Sequence, residues 1–413
     1  MKDQSSLYSN ILNRAVIISG LGFFVDAFDL LLFNVLRIPS LKDLGLSGSQ
    51  LTSHGEFLLS MQMLGMIVGG IISGVVGDRR GRVSVLFGSI LLYSLANFAN
   101  AFVEDVSTYA VIRFLAGVGL AGELGAGIAL VGESMTIEHR GNGTVMVAVL
   151  GACGAIAAGL AGDLLPWRTT YIIAGVAGLL LLLLRVYAFE SGMYRKAEAK
   201  QDVKRGSFRL LFSTKERTMR YLKFLIIGIP IWYCVGILIN LSPELAARNG
   251  IQGISPFICF ILFQVGIATG DLSSGLLSQR LKTRISILKS FMAFAILAVI
   301  AFFISVMSIK TPTAMSVCAL LMGFGCGFMS IFVTTVAESF GTNLRVTATA
   351  TITNFMRGAV TVLIPLRMWL ERQFTLSMET SLILIGILVL VPAFLFLFRL
   401  KETYGTSLEY YED

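Results

Sequence analysis

Apolar runs of about 20 residues recur along the chain, each long enough to cross roughly 30 Å of hydrocarbon as an α-helix rising about 1.5 Å per residue. A bilayer leaves few alternatives, because a spanning segment must satisfy its backbone N–H and C=O groups internally. Transmembrane strands would show segments of about 10 residues with alternating polarity, and that alternation is absent. Twelve spans are predicted, over residues 15–38, 56–76, 83–102, 107–130, 143–162, 168–189, 222–242, 256–277, 286–307, 313–336, 348–368 and 381–399. The expected fold is therefore all-α and integral to the membrane. Composition agrees, since 55% of the 413 residues are hydrophobic and 14% charged, whereas soluble domains carry roughly a quarter charged residues.

The net charge of +8 would point to nucleic acid in a soluble protein. Here the basic residues sit in alternate loops, with roughly three times as many Lys and Arg on the side of the termini as on the other. That bias predicts cytoplasmic termini. Lys2 and Arg14 precede a first apolar run that contains Asp26 and Asp29, which suits a retained spanning helix better than a cleaved signal peptide. Cys153, Cys234, Cys259, Cys318 and Cys326 lie inside apolar segments without a Cys-x-x-Cys pair, so they read as small packing residues rather than as metal ligands or a disulfide framework.

The longest connection, Glu190 to Lys223, holds ten basic and four acidic residues and divides the spans six and six. It reads as a surface linker at the anionic inner leaflet. The expected organisation is a six-helix bundle over residues 1–189, a cytoplasmic linker over 190–221, and a second six-helix bundle with a short tail over 222–413. The halves echo each other. Val131-Gly-Glu-Ser-Met-Thr-Ile-Glu-His-Arg140 corresponds to Val336-Ala-Glu-Ser-Phe-Gly-Thr-Asn-Leu-Arg345, matching Glu133 with Glu338 and Arg140 with Arg345. Gly74-Val-Val-Gly-Asp-Arg79 likewise corresponds to Gly275-Leu-Leu-Ser-Gln-Arg280. Duplicated six-helix halves are a transporter architecture with the substrate site near the midplane between them. Glycines at helical spacing, Gly65, Gly69, Gly70 and Gly74 in the second span and Gly151, Gly154, Gly159 and Gly162 in the fifth, read as close helix packing. Pro230, Pro365 and Pro392 fall within spans and are candidate kinks, either for gating or in a rigid bundle.

Gly74-x-x-x-Asp78-Arg79-Arg80-Gly81-Arg82, between the second and third spans, resembles the signature loop of the major facilitator superfamily. A carboxylate at a helix end among arginines can form a charge-assisted latch between halves. Arg113-x-x-x-Gly117-x-Gly119 in the fourth span resembles the pattern of proton-coupled members, and Phe189-Glu-Ser-Gly and Lys401-Glu-Thr-Tyr-Gly-Thr-Ser-Leu-Glu409 resemble weakened sugar-porter signatures. The resemblance implies the twelve-helix major facilitator fold. It favours the branch of sugar porters and of metabolite, aromatic-acid and phosphate proton symporters over drug efflux. The seventh span lacks the paired glutamines through which sugar porters bind hexoses, so a sugar is not the first choice. A cytoplasmic gate is expected from Asp78, Arg79, Arg82, Glu133, Arg140, Asp271, Arg280, Glu338 and Arg345.

An ionisable side chain inside a span costs about 2.5–3.5 kcal/mol on insertion scales, so each is a functional candidate with a partner to find. Asp26 and Asp29 share one face of the first helix near mid-depth. Two close carboxylates in a poorly solvated site oppose each other's ionisation, which makes the pair a natural proton carrier. Arg113 is within reach of Asp29, and the resemblance implies the same coupling of a first-helix Asp to a fourth-helix Arg. Glu123, nearer the inner end, either relays a proton or caps local packing. Proton coupling is thus assigned to Asp26, Asp29, Arg113 and Glu123. A fixed ion pair that only orders helices is the competing reading.

Arg357, near mid-depth with Asn354 one turn earlier, is a natural anchor for a carboxylate or phosphate if unpaired, and structural if paired with Asp26 or Asp29. Trp232, Tyr233 and Asn240 in the seventh span and Gln264 in the eighth complete a candidate substrate site, and each is also ordinary packing material. His54 and His139 fall in loops and make poor intramembrane shuttles. No His-Glu-x-x-His, Gly-x-Ser-x-Gly or phosphate-binding loop occurs, so neither an enzyme nor an ATP-driven pump is expected. The expectation is a proton-coupled symporter importing a small polar or anionic metabolite, monomeric, with no cofactor beyond the proton, no metal and no nucleic-acid partner. Its alternatives are a proton-coupled exporter and a non-transporting nutrient receptor. Compact loops point to a prokaryotic inner membrane.

Overall fold

A computed structural model describes residues 14–80, 82–122, 140–190, 208–254, 256–406 and 412, and the side chains of a few helical residues within these ranges lie outside the description. Among the described residues there are helices and no strands. The first half contributes α1 (Arg14–Asp43), α2 (Ser49–Arg80), α3 (Arg82–Asn100), α4 (Val106–Leu120), α5 (Arg140–Leu164) and α6 (Trp167–Glu190). The second contributes α7 (Lys215–Tyr233), a short α8 (Ser242–Arg248), α9 (Pro256–Leu281), α10 (Ile285–Ile304), α11 (Pro312–Cys326), α12 (Met329–Ser339), α13 (Arg345–Gly358), α14 (Val360–Phe374) and α15 (Met378–Leu397). Among the described residues, seven helical segments are long and apolar enough to cross a membrane by length and composition, and three shorter apolar ones add to them. Leucines and isoleucines that face outward, such as Leu183, Leu297 and Ile387, are what a lipid-facing surface requires.

Each predicted span falls on a helix, with local departures. Four residues beyond Pro230, which lacks an N–H to donate, α7 widens into a π-turn over Cys234–Ile239. The predicted tenth span is two helices, because Gly327 and Phe328 leave helical conformation between α11 and α12. Gly327 sits so close to α9 that a Cβ there would lie 2.5 Å from Cα of Gly270. The predicted eleventh span is α13 and α14, joined at Ala359. The fourth continues into residues outside the description.

Small residues set the helix pairs. A Cβ on Gly117 of α4 would overlap the carbonyl oxygen of Gln62 on α2, and one on Gly323 of α11 would overlap that of Phe263 on α9. The same device therefore joins the second and fourth spans of the first half and the eighth and tenth of the second. Gly154 brings α5 onto the backbone of Phe24 in α1 in the same way. Between halves, α2 runs along α13, with Gly70 against Asn354 and Gly74 against Thr347. A second seam joins α5 to α9.

Candidate functional site

Between these seams lies a cavity of about 90 Å³, walled by Phe23, Asp26, Ala27 and Leu31 of α1, Ala152 and Ala155 of α5, Trp232 and Val235 after the Pro230 turn, Gln264 and Asp271 of α9, Met329 and Arg357. The lining is mostly apolar, and its polar groups are few. Arg357 is 3% exposed, with Nη2 at 3.8 Å from Oδ2 of Asp26, the outer limit of an ion pair. Its guanidinium lies 5.3 Å from the centroid of a Trp232 ring, and its Nε has no hydrogen-bond partner. Nε2 of Gln264 and Nε1 of Trp232 are likewise buried without one. A cation held loosely over an aromatic face, with buried donors beside it, is equipped to receive an anion carrying a flat or apolar body.

Asp29, one turn further along α1, is 1% exposed, and neither of its carboxylate oxygens makes a hydrogen bond. Arg113 is within electrostatic range of Asp29, yet it forms no direct ion pair with it. Instead Nη2 of Arg113 donates to Oε1 of Gln62 on α2, and the guanidinium lies 4.6 Å from the ring centroid of Phe33. The sequence places the two charges on different helices but cannot say that Arg113 donates to Gln62. Charge alone does not reveal a neutral partner.

Other expected site residues have different positions. Asn354 donates across the seam to the carbonyl of Ala121 at 2.8 Å and to Ala350, which makes it an interface residue. Tyr233 points away from the cavity and donates to the carbonyl of Leu382 at 2.7 Å. Asn240 lies at the end of the π-turn and lines a second cavity, remote from the termini. Asp271, expected in the cytoplasmic gate, lines the central cavity instead, where its Oδ1 accepts the backbone N–H of Ser330 at 3.0 Å and so caps α12. The break at Gly327 exposes that helix start, and the carboxylate meets its unpaired amides.

At the end near the termini, Glu338 pairs with Arg284 at 3.2 Å and accepts from Thr403. Arg280, the residue matched by repeat, is exposed and makes no ion pair among the described residues. The shift arises because α9 ends at Leu281, after which Arg284 turns back onto Ser278 and Glu338. Arg345 donates to the carbonyl of Ala337 at 2.9 Å. Arg79 is exposed. Glu123 and Glu133 lie outside the described residues, and at Asp78, Arg82 and Arg140 only the backbone is described.

At the opposite end, sequence reasoning passed over four charged residues at span edges. Arg37 of α1 donates to Glu244 of α8 at 2.8 Å, and Arg367 of α14 holds Glu56 of α2 at 2.7 Å. Both pairs join the halves.

The major facilitator superfamily model matches residues 19–365. The chain belongs to this superfamily. As a major facilitator protein it is a multi-pass membrane transporter of a small molecule, not an enzyme. It is 30% identical over 237 residues to the 3-(3-hydroxy-phenyl)propionate transporter of Escherichia coli, covering 55% of this chain and 56% of that one. It is 26% identical over 402 residues to the putative niacin/nicotinamide transporter NiaP of Bacillus subtilis, covering 95% and 96%. Among solved structures, the proton:xylose symporter XylE bound to 6-bromo-6-deoxy-D-glucose superposes with a TM-score of 0.69 at 17% identity, covering 98% of each chain. At that identity the likeness concerns the major facilitator fold.

Proposed function

We propose that this transporter is a proton-coupled symporter that imports a small organic acid, most simply one with a flat ring, by alternating access, with both termini cytoplasmic. The observation that carries the proposal is Arg357, buried in the cavity between halves over Trp232 and only loosely engaged by Asp26. A carboxylate takes a guanidinium as a planar fork, and a ring stacks on the indole. The apolar wall from Phe23 to Met329 favours such a body over a hexose, whose hydroxyls would need many polar partners. Relatives named as a 3-(3-hydroxy-phenyl)propionate transporter and a putative niacin/nicotinamide transporter support a substrate with a flat ring.

Asp26 and Asp29 supply the coupling. Substrate competes with Asp26 for Arg357, so the released carboxylate is neutralised by a proton, and the two halves then rock about the loaded site. Proteoliposomes test this, with uptake of nicotinate and 3-(3-hydroxyphenyl)propionate measured with and without an inward proton gradient. Gradient-driven accumulation in the parent, lost in Asp29→Asn and in Arg357→Ala, is the expected result. Accumulation that ignores the gradient or Asp29 would sink the symport reading, and efflux against an inward substrate gradient would replace import with export.

A further inference from the structure

A second cavity, about 490 Å³, lies at the end of the bundle remote from the termini. It falls within the roughly 300–1,000 Å³ of small-molecule sites. It is built from both halves: Asn34, Arg37 and Pro39 of α1, Pro166 and Trp167 where α5 passes to α6, Asn240 and Pro243 around α8, and Phe260 of α9. Asn34 follows Leu31 by three residues on α1, and Ile239 follows Val235 by four on the π-turn; the earlier member of each pair lines the central cavity and the later one this cavity. The facing walls of the two cavities therefore lie about one helical turn apart, roughly 5 Å along the bundle.

Arg37 is the cation of this chamber. It is 2% exposed, and its Nε and Nη1 have no hydrogen-bond partner, while Nη2 donates to Glu244 at 2.8 Å and to the carbonyl of Asn240 at 3.4 Å. Oδ1 of Asn34 and Oε2 of Glu244 are also buried without partners. Buried donors beside a chamber of this size call for an occupant that accepts hydrogen bonds. Trp167 adds an aromatic wall.

We propose that this chamber is an entry site in which Arg37 captures the carboxylate of the incoming substrate before it reaches Arg357, which lies at the level of Asp26, roughly 16 Å further along α1. The proposal rests on the reading of the substrate as a small organic acid. A carboxylate that engages a guanidinium as a fork takes Nη1 together with Nη2, and Nη2 is the atom now given to Glu244. Occupancy therefore competes with the Arg37–Glu244 pair, which joins α1 to the second half. The arriving anion loosens one of the contacts that close this end, which links capture to the opening that admits it.

Saturation binding of radiolabelled benzoate, the simplest aromatic carboxylate, to the detergent-purified full chain tests the proposal. The parent is expected to bind two equivalents, Arg357→Ala to keep one and Arg37→Gln to keep the other. Glu244→Gln, which removes the competing carboxylate and keeps its volume, is expected to tighten the Arg37 equivalent by about tenfold. If Arg37→Gln fails to fold, Asn34→Asp leaves the Arg37–Glu244 pair in place, adds a negative charge to the chamber, and is expected to lose the same equivalent. A single equivalent in the parent that Arg357→Ala removes overturns the entry site, as does a second equivalent indifferent to Arg37 and Asn34 or an absence of binding. Loss of an equivalent in Arg37→Gln with none lost in Arg357→Ala keeps the entry site and overturns the central anchor.

Discussion

Arg367 of α14 reaches across the boundary between the halves and holds Oε1 of Glu56 on α2 at 2.7 Å, with both side chains buried, while its other terminal nitrogen holds Glu371 at 2.7 Å. Two charges taken from water this way recover their desolvation only while paired, so the pair is better evidence of specificity than of stability. Glu56→Gln is expected to destabilise the protein by about 2 kcal/mol, less than the ~3–5 kcal/mol of a fully orphaned charge because Glu371 remains. Glu56→Leu combined with Arg367→Leu is expected to melt near the parent. Thermal unfolding in detergent checks this, and a double variant as unstable as the single one would show that the pair is structural glue.

Arg357→Lys retains the charge of the proposed anchor and loses the planar fork and the overlap with Trp232. The expected outcome is a KM raised by about tenfold or more with a smaller change in kcat, read from the concentration dependence of uptake. An unchanged KM would mean that Arg357 contributes only its charge.

Asp271 gives a third test, because its carboxylate accepts from Ser330 at the start of α12, inside the bundle. Asp271→Ala is expected to cost about 1–2 kcal/mol, the worth of an N-cap. Asp271→Asn keeps an acceptor and is expected to cost less than half of that. Equal melting temperatures for both variants and the parent would remove the capping role.

What the sequence made legible follows from what hydrophobicity can encode. The period and length of apolar runs located the helices, and of the charges inside them Asp26 and Arg357 line one cavity, joined by Asp271, which was expected at the cytoplasmic gate. Partners were less readable. The sequence left Arg357 open between a free anchor and a pair with Asp26 or Asp29, and Arg113 meets Gln62 rather than Asp29, because contacts between helices depend on rotation and close approach that a span prediction leaves open. The tenth span read as continuous because nothing in an apolar run marks the two residues at which Gly327 meets α9. Arg37 and Glu56 were missed for another reason: at span edges, a buried bridge and a solvated charge have the same sequence signature.

Glu402, in the tail segment that resembles a sugar-porter signature, carries a pH test outside the membrane. Its carboxylate accepts from the hydroxyl of Thr283 at 2.6 Å and from the backbone N–H groups of Arg284 at 2.8 Å and Ile285 at 3.2 Å, so the tail caps the start of α10. Burial acts to raise its pKa, but these hydrogen bonds, with that of Tyr404, together hold it below the ordinary glutamate range. A carboxylate depressed on folding stabilises the fold above its unfolded pKa, and the contribution is lost as pH falls through the folded value. Glu402→Gln is therefore expected to lower the melting temperature at neutral pH by about 2 °C, a small effect because the group is exposed to solvent screening. The difference from the parent is expected to shrink as the pH is taken toward about 4 and below, where the parent's carboxylate begins to protonate as well. A gap that stays constant from neutral pH down through that range would mean that the charge of Glu402 adds nothing to the cap beyond its hydrogen-bonding shape.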